Sequence, residues 1–303
     1  MPMFAQFLPQ LVTQLTEVTS IALAQNIRQQ AIATPLSPEA IATTYVRQGS
    51  GEIPILLIHG FDSSVLEFRR LLPLLAAHHA TWAVDLFGFG FTDRVAEVKI
   101  TPDAIKTHLY YFWKTLIQKP VILVGASMGG AAAIDFTLTY PDAVQKLVLI
   151  DSAGVAGGSV MSKYMFPPLD RLATEFLKNP RIRHSISRAA YKNKTLASID
   201  AQVCAALHLE CSQWSQALIA FTKSGGYSSF KNRLNQIQPP TLILWGKDDR
   251  ILGTTDAYRF KRAIAQSQLI WIQDCGHVPH LEQPQMTAQH ILEFVDSTLP
   301  CDQ

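Results

Sequence analysis

The chain has 303 residues, of which 48% are hydrophobic and 17% are charged, and its formal net charge is +2. This composition is enough for one large buried core, and the scattered Lys and Arg residues argue against a nucleic-acid partner. The four cysteines show neither C-x-x-C nor metal-site spacing, which predicts reduced thiols and a cytoplasmic location.

Residues 3–30 carry apolar side chains at close to helical spacing, so we predict an amphipathic helix and linker over residues 1–40. No Lys or Arg precedes the apolar run and polar side chains interrupt it, which disfavours a signal peptide. The helix could pack on the domain, on a second copy of the chain, or peripherally on a membrane through residues 1–30. Its polar face lacks cations, which favours packing on protein.

Short apolar runs separated by helix-length spacers follow a predicted strand at residues 43–48. The runs lie at 55–58, 82–86, 121–124, 147–150, 241–245 and 269–272. Continuous apolar runs of this length are typical of parallel strands buried on both faces, and the spacers can hold crossover helices. The sequence therefore predicts an α/β fold with a parallel sheet.

The last two runs come only after a gap of about 90 residues, which suggests an insertion. The stretches around 169–190 and 196–222 look helical. We predict a helical cap over 153–238, lying above the C-terminal edge of the sheet. The core of the domain would then comprise residues 41–152 and 239–303.

The sharpest motif is Gly125-Ala-Ser-Met-Gly129, placed between the predicted strand 121–124 and an Ala-rich helical run. A serine in a tight strand-to-helix turn needs small residues two positions to either side. The turn exposes the hydroxyl and aims the next helix's N-terminus at it. The motif therefore predicts Ser127 as a catalytic nucleophile.

A serine nucleophile needs a base and an acid that orients the base. His277 and Asp249 both follow predicted strands and give the chain order Ser, Asp, His that accompanies this turn. Asp151 and Asp248 are alternatives for the acid. His280, three residues after His277, is interpreted as structural.

The loop after the predicted strand 55–58 should complete an oxyanion hole, because Gly60 lets its backbone approach the reacting centre. We predict that the N–H groups of Phe61 and Met128 bind the oxyanion, and that His59 holds the loop in place. For the substrate pocket, the aromatic residues of the predicted cap are candidates: Trp214, Phe221 and Tyr227.

Together these stretches resemble the α/β-hydrolase superfamily over about residues 43–298. The matching stretches are His-Gly-Phe at 59–61, Asp-Leu-Phe-Gly-Phe-Gly at 85–90, Gly-Ala-Ser-Met-Gly-Gly at 125–130, Trp-Gly-Lys-Asp-Asp-Arg at 245–250 and Gly-His-Val-Pro-His-Leu-Glu at 276–282. The resemblance implies an α/β-hydrolase fold with a mostly parallel eight-stranded sheet flanked by helices and a helical cap insertion. Residues 65–70 and 223–227 are similar to cyanobacterial and plastid hydrolases of mostly unassigned substrate, which hints at a lipophilic ester.

We therefore expect a serine hydrolase that cleaves a medium-sized apolar carboxylic ester through an acyl-enzyme, with no metal or other cofactor. Dehalogenases and epoxide hydrolases of this fold carry an aspartate where Ser127 stands, which argues against both. Carbon–carbon bond hydrolases are the alternative, although they tend to have Asn at Ala126 and Trp at Val278. A slow-turnover ligand receptor on the same scaffold is a further alternative.

Overall fold

The computed structural model describes residues 4–156 and 169–297, apart from the side chain of residue 169. Eight strands of this part of the chain form one sheet in the order β1-β2-β4-β3-β5-β6-β7-β8. The strands are β1 (Ile27–Thr34), β2 (Ser37–Gln48), β3 (Ile55–Ile58), β4 (Thr81–Val84), β5 (Val121–Ala126), β6 (Val144–Ile150), β7 (Thr241–Gly246) and β8 (Ser267–Ile272). β2 pairs antiparallel with β1 and β4, and every other neighbouring pair is parallel. The expected mostly parallel eight-stranded sheet is confirmed.

The α-helices cover both faces of the sheet and form an insertion between β6 and β7. They are α1 (Val18–Gln25), α2 (Leu72–Ala76), α3 (Pro102–Leu116), α4 (Met128–Thr139), α5 (Leu169–Lys178), α6 (Pro180–Ala190), α7 (Ile199–Ala206), α8 (Trp214–Lys223), α9 (Thr255–Ala263), α10 (Pro279–Glu282) and α11 (Pro284–Asp296). Buried side chains of α3, α4 and α9 share one hydrophobic cluster, and those of α1, α2 and α11 share another.

The central strands are buried on both faces because their side chains alternate between the two clusters. All six residues of β5 are buried. Val121 and Leu123 belong to the cluster that includes α3, while Ile122 and Val124 belong to the cluster that includes α2. This period of two explains the continuous apolar runs. It also leaves the carboxyl ends of β3, β5, β7 and β8 at one edge, where sites in such sheets collect.

The prediction of one helix through residues 3–30, followed by a linker to residue 40, is wrong. The segment forms a short 3₁₀ turn (Gln10–Gln14), then α1, and then enters the sheet as β1. Helical spacing ends near Ala22, and from Ile27 onward the backbone pairs with β2, burying Ile27 and Ile32. Pairing with a neighbouring strand overrides the local pattern.

Residues 4–25 pack on their own domain. Leu8, Val12, Leu15 and Leu23 are buried in the same cluster as α2 and α11. The buried carboxylate of Asp200 on α7 accepts hydrogen bonds from the N–H groups of Thr16 and Glu17, at 2.6 and 2.8 Å. A carboxylate at this position stabilises the start of α1. These apolar side chains are therefore already covered by protein.

The insertion between β6 and β7 contains α5 to α8, which agrees with the helical character predicted there. Residues 157–168 of the predicted cap lie outside the described range. In the part of the chain that the structure describes, no helix is both long enough and apolar enough to cross a bilayer. Cys204, Cys211 and Cys275 are free thiols, while Cys301 lies beyond the described residues.

Candidate active site

Ser127 occupies a sharp turn between β5 and α4. Its backbone adopts φ 52° and ψ −119°, a conformation that L-residues rarely take. A Cβ on Gly125 would lie 2.3 Å from the Gly129 carbonyl oxygen, and a Cβ on Gly129 would lie 2.2 Å from the Ile58 carbonyl oxygen. Only glycine fits at these two positions, which is the reason for the spacing of the motif.

His277 connects Ser127 to Asp249 by hydrogen bonds. Its Nε2 lies 3.0 Å from Ser127 Oγ, and its Nδ1 lies 3.0 Å from Asp249 Oδ2. A carboxylate at Nδ1 favours the tautomer that carries its proton there, which leaves Nε2 free to accept the serine proton. The structure thus brings together the three side chains that the sequence selected, from the ends of β5, β7 and β8.

Among the three candidate acids, Asp249 faces His277. Burial opposes ionisation of Asp249, but the hydrogen bond and charge of His277 and the backbone N–H groups of Ile251 and Leu252 lower its pKa below the usual value. Asp248 instead forms an ion pair with Lys192 at 2.8 Å. The geometry therefore favours Asp249 over Asp248.

Asp151 lies beside Asp249 at the end of β6 and is fully buried. Its carboxyl oxygens accept hydrogen bonds from Gly246 N–H at 3.1 and 3.2 Å. Burial, followed by the negative charge of Asp249, raises the pKa of Asp151 well above the usual value. A protonated Asp151 would be a neutral neighbour of the Asp249 carboxylate.

Ligand-type atoms of Asp151, Asp249 and His277 lie within 4.8 Å of one another. Each of these groups already has a hydrogen-bond partner: Gly246 N–H for Asp151, His277 and two backbone N–H groups for Asp249, and Ser127 for His277. All three side chains are therefore already engaged in hydrogen bonds within the chain.

Two backbone elements approach Ser127 from either side and could bind an oxyanion. Met128 is the first residue of α4, where N–H groups have no acceptor within the helix. On the other side, a Cβ on Gly60 would lie 3.4 Å from Ser127 Cβ, so the loop that carries Phe61 runs directly past the serine. Both predicted donors are therefore on segments adjacent to the hydroxyl.

The family model described as "alpha/beta hydrolase fold" matches residues 53–284, which is most of the chain. The chain belongs to the α/β-hydrolase family. A relative from Arabidopsis thaliana, the α/β hydrolase domain-containing protein VTE7, is 32% identical over 98% of this chain and 92% of its own length.

Two other relatives of this α/β hydrolase carry more specific names. The 2-hydroxy-6-oxo-6-(2'-aminophenyl)hexa-2,4-dienoic acid hydrolase of Metapseudomonas resinovorans is 27% identical over 84% of this chain and 88% of its own length. The structure of a thermophilic esterase from Thermogutta terrifontis superposes with a TM-score of 0.75 at 25% identity, covering 88% of this chain and 98% of the esterase. The chain is accordingly a hydrolase of this fold.

A cavity of about 310 Å³ opens beside Ser127 of this α/β hydrolase, between the core and the inserted helices. Its apolar lining includes Phe61, Ile186, Ala205, Ile251 and Leu281. Trp214, Phe221 and Tyr227 are not among the described residues that line it. Phe221 instead packs against Phe61 and Phe89, and Trp214 donates its indole N–H to Asp62. The prediction of pocket residues from aromatic content is therefore wrong.

Histidines predicted to be structural hold the loop around Gly60. His59 Nε2 accepts the N–H of Leu86 at 3.1 Å, and its Nδ1 lies 2.8 Å from the Gly60 carbonyl oxygen. His280 lies 3.1 Å from Glu67, which in turn accepts the N–H of Gly60 at 2.9 Å. Burial opposes ionisation of Glu67, but the hydrogen bond from His280 lowers its pKa to about 2. Both imidazoles thus act on the loop rather than on the serine.

The sequence analysis missed Asp62, which joins this loop to the inserted helices. Asp62 is buried and follows Phe61 directly; its carboxylate binds Arg183 at 2.8 Å, His208 at 3.0 Å and Trp214 at 2.7 Å. Burial opposes its ionisation, but His208, Arg183 and Trp214 together lower its pKa. A charged residue next to the predicted oxyanion donor was the available signal, but its three partners are too distant in sequence to be identified.

Replacing Asp62 with alanine should lower the free energy of unfolding by about 3 kcal/mol, because it leaves Arg183 and His208 without their buried partner. The Asp62→Asn variant keeps an acceptor oxygen, so its free energy of unfolding should fall by less. Urea denaturation of the two variants and the parent protein measures the difference. An alanine variant within 0.5 kcal/mol of the parent would show that this network is not stabilising.

Glu282 is a second residue whose role the sequence did not reveal. Its carboxylate accepts hydrogen bonds from the N–H groups of Gly276, Lys192 and Asn193, at 2.8, 3.0 and 2.6 Å. The N–H of His277 also donates to the carbonyl of Ala190, the last residue of α6. The loop that carries His277 is therefore fastened to the insertion as well as to the sheet.

Proposed function

We propose that this α/β hydrolase cleaves carboxylic esters of medium-sized apolar substrates, with Ser127 as nucleophile, His277 as general base and acid, and Asp249 as the acid that orients His277. The observation that carries the proposal is the pair of 3.0 Å contacts from His277 to Ser127 and Asp249. A hydroxyl in this arrangement can give up its proton as it attacks.

In the proposed reaction, Ser127 Oγ attacks the ester carbonyl carbon while His277 Nε2 takes its proton. The N–H groups of Phe61 and Met128 stabilise the oxyanion that forms on the carbonyl oxygen. His277 then gives the proton to the leaving alcohol, and the acyl group remains on Ser127. A water molecule, deprotonated by His277, then attacks the acyl carbon. The bond from this carbon to Ser127 Oγ breaks, His277 returns the proton to Oγ, and the carboxylic acid leaves.

The cavity supports a substrate of limited size. Its volume of about 310 Å³ is at the lower end of the range for ligand pockets. Apolar side chains supply much of its wall, while charged groups such as Arg69 and Arg183 also reach it. An acyl chain of moderate length, with one polar end at the serine, suits this lining.

Hydrolysis of p-nitrophenyl esters should rise from the acetate to a maximum at medium chain length and fall again for the palmitate. Ala205→Leu, which adds bulk to the cavity wall, should move the maximum to shorter chains and leave the acetate rate within about twofold. Steady-state kcat/KM values across the series measure both effects. A folded protein with no turnover on any ester would contradict the proposal.

Carbon–carbon bond hydrolysis is the second candidate, favoured by relatives named as hydrolases of 2-hydroxy-6-oxo dienoic acids. Ala126 and Val278 argue against it, because carbon–carbon bond hydrolases tend to carry Asn and Trp at these two positions. Comparing kcat/KM for the two kinds of substrate separates the candidates. A kcat/KM for a 2-hydroxy-6-oxo dienoic acid at least a hundredfold above that for the best ester would overturn the ester proposal. The opposite ratio would support it.

A further inference from the structure

Helix α5 of the insertion exposes apolar side chains and buries polar ones. Leu172 is 61% exposed and Phe176 is 58% exposed, although they lie one helical turn apart on the same face. Asp170 and Thr174, which also lie one turn apart, are buried. An amphipathic helix of a soluble domain normally does the reverse. The exposed apolar stripe of α5 therefore needs an explanation.

The buried carboxylate of Asp170 joins α5 to α8. Asp170 accepts a hydrogen bond from Lys223 on α8 at 2.8 Å and another from the N–H of Arg171 at 2.8 Å. Thr174 donates to the carbonyl of Arg171 at 2.9 Å. Rotating α5 to cover Leu172 and Phe176 would break the link to Lys223. This ion pair thus favours the orientation in which the apolar stripe faces outward.

The apolar surface continues toward the cavity at Ser127. α6 begins two residues after α5 ends and packs against it. Ile186 of α6 is half-exposed and lines the cavity, as do Phe61 and Ile251, which are also half-exposed. We call Leu172, Phe176 and Ile186 the cap apolar surface. One end of this surface is at the mouth of the proposed active site.

The exposed charged side chains on the two helices that carry the cap apolar surface are mostly positive. In the described helices α5 and α6, the exposed charged side chains are Arg171, Glu175, Lys178, Arg181 and Arg188. Four of these five are positive, whereas the whole chain is nearly neutral. Exposed apolar side chains on helices whose exposed charges are mostly Lys and Arg are suited to the interface of an anionic lipid bilayer. In the described part of the N-terminal segment, Leu8, Val12, Leu15 and Leu23 are buried, while Val18 and Phe7 are exposed without Lys or Arg beside them in the sequence.

We propose that the cap apolar surface docks on an anionic lipid bilayer and presents the cavity mouth to it. The docking itself depends on α5 and α6 alone. Entry of an apolar ester from the bilayer rests on the proposed function. A lipophilic substrate would then reach Ser127 without crossing water.

Vesicle binding by the full chain tests the docking. The protein should float with vesicles of phosphatidylcholine and phosphatidylglycerol at 3:1, and much less with phosphatidylcholine alone. The double variant Leu172→Ser/Phe176→Ser should bind the anionic vesicles at least tenfold more weakly. Met286→Ser, a half-exposed apolar residue on α11, is the matched control and should bind like the parent. Arg181→Gln/Arg188→Gln should reduce binding and its sensitivity to salt.

Three results would overturn the docking proposal. The first is a parent protein that fails to bind anionic vesicles, or a double variant that binds equally well. The second is a parent dimer that the double variant converts to a monomer in sedimentation, which would assign the surface to a second copy. The third is a fall of several degrees in the thermal midpoint of the double variant, which would mean that the chain itself covers these side chains.

The docking and the proposed function can fail separately. The double variant should hydrolyse a water-soluble short ester at the parent rate, because Leu172 and Phe176 do not line the cavity at Ser127. Vesicle binding without ester turnover would remove the proposed function and keep the docking. Ester turnover without vesicle binding would do the opposite.

Discussion

Replacing Ser127 or His277 with alanine is expected to lower kcat for an ester by about four to six orders of magnitude, because either change removes the proton-transfer step at the nucleophile. Steady-state kinetics on the best p-nitrophenyl ester measures the loss. The fold should be retained, as judged by circular dichroism, because neither side chain contributes to the hydrophobic clusters.

The double variant Ser127→Ala/His277→Ala separates a shared mechanism from two independent effects. It should be scarcely slower than either single variant, because the two side chains act as a unit. Losses that add would contradict the proposed mechanism.

A fluorophosphonate probe should label Ser127 stoichiometrically in the parent and not in Ser127→Ala. If the probe labels Ser127 but unlabelled protein gives only a single burst of product from the ester, without further turnover, the result would instead indicate a ligand receptor on this scaffold.

Replacing Asp249 with asparagine is expected to lower kcat by about four orders of magnitude, because an amide can favour the wrong imidazole tautomer at the 3.0 Å contact with His277. Asp151→Asn should lower kcat by about tenfold or less, because burial and the charge of Asp249 raise the pKa of Asp151 and so favour its neutral form, which an amide resembles, and because Asp151 does not contact His277 by a hydrogen bond. Kinetics at neutral pH, with circular dichroism as the control for folding, compares the two. The reverse order of effects would assign the acid to the end of β6.

The sequence predicted the central sheet well because burial on both faces leaves a continuous apolar run. β3 and β5 are recognisable in this way, and the spacer before β7 revealed the insertion. The edge strand β1 was harder to predict. β1 buries only Ile27 and Ile32 out of eight residues, so its pattern is too weak to compete with the helical spacing that precedes it.

The candidate site was predictable where chemistry restricts residue type and position together. The glycines at 125 and 129 mark the turn at Ser127, and His277 follows the last strand. The sequence favoured Asp249 but left Asp151 as an alternative, because the choice depends on which carboxylate faces the imidazole. The cavity lining was also missed, since small residues such as Ala205 form part of it while the aromatic residues of α8 pack inward.

The backbone at Ser127 has a consequence beyond catalysis. A non-glycine residue with φ 52° there costs about 1–3 kcal/mol, and selection for thermal resistance alone would favour glycine at this position. Serine at this position therefore makes the native state less stable than glycine would. A search for non-glycine residues whose strained backbone lowers the stability of the protein would thus identify this position before any substrate is known.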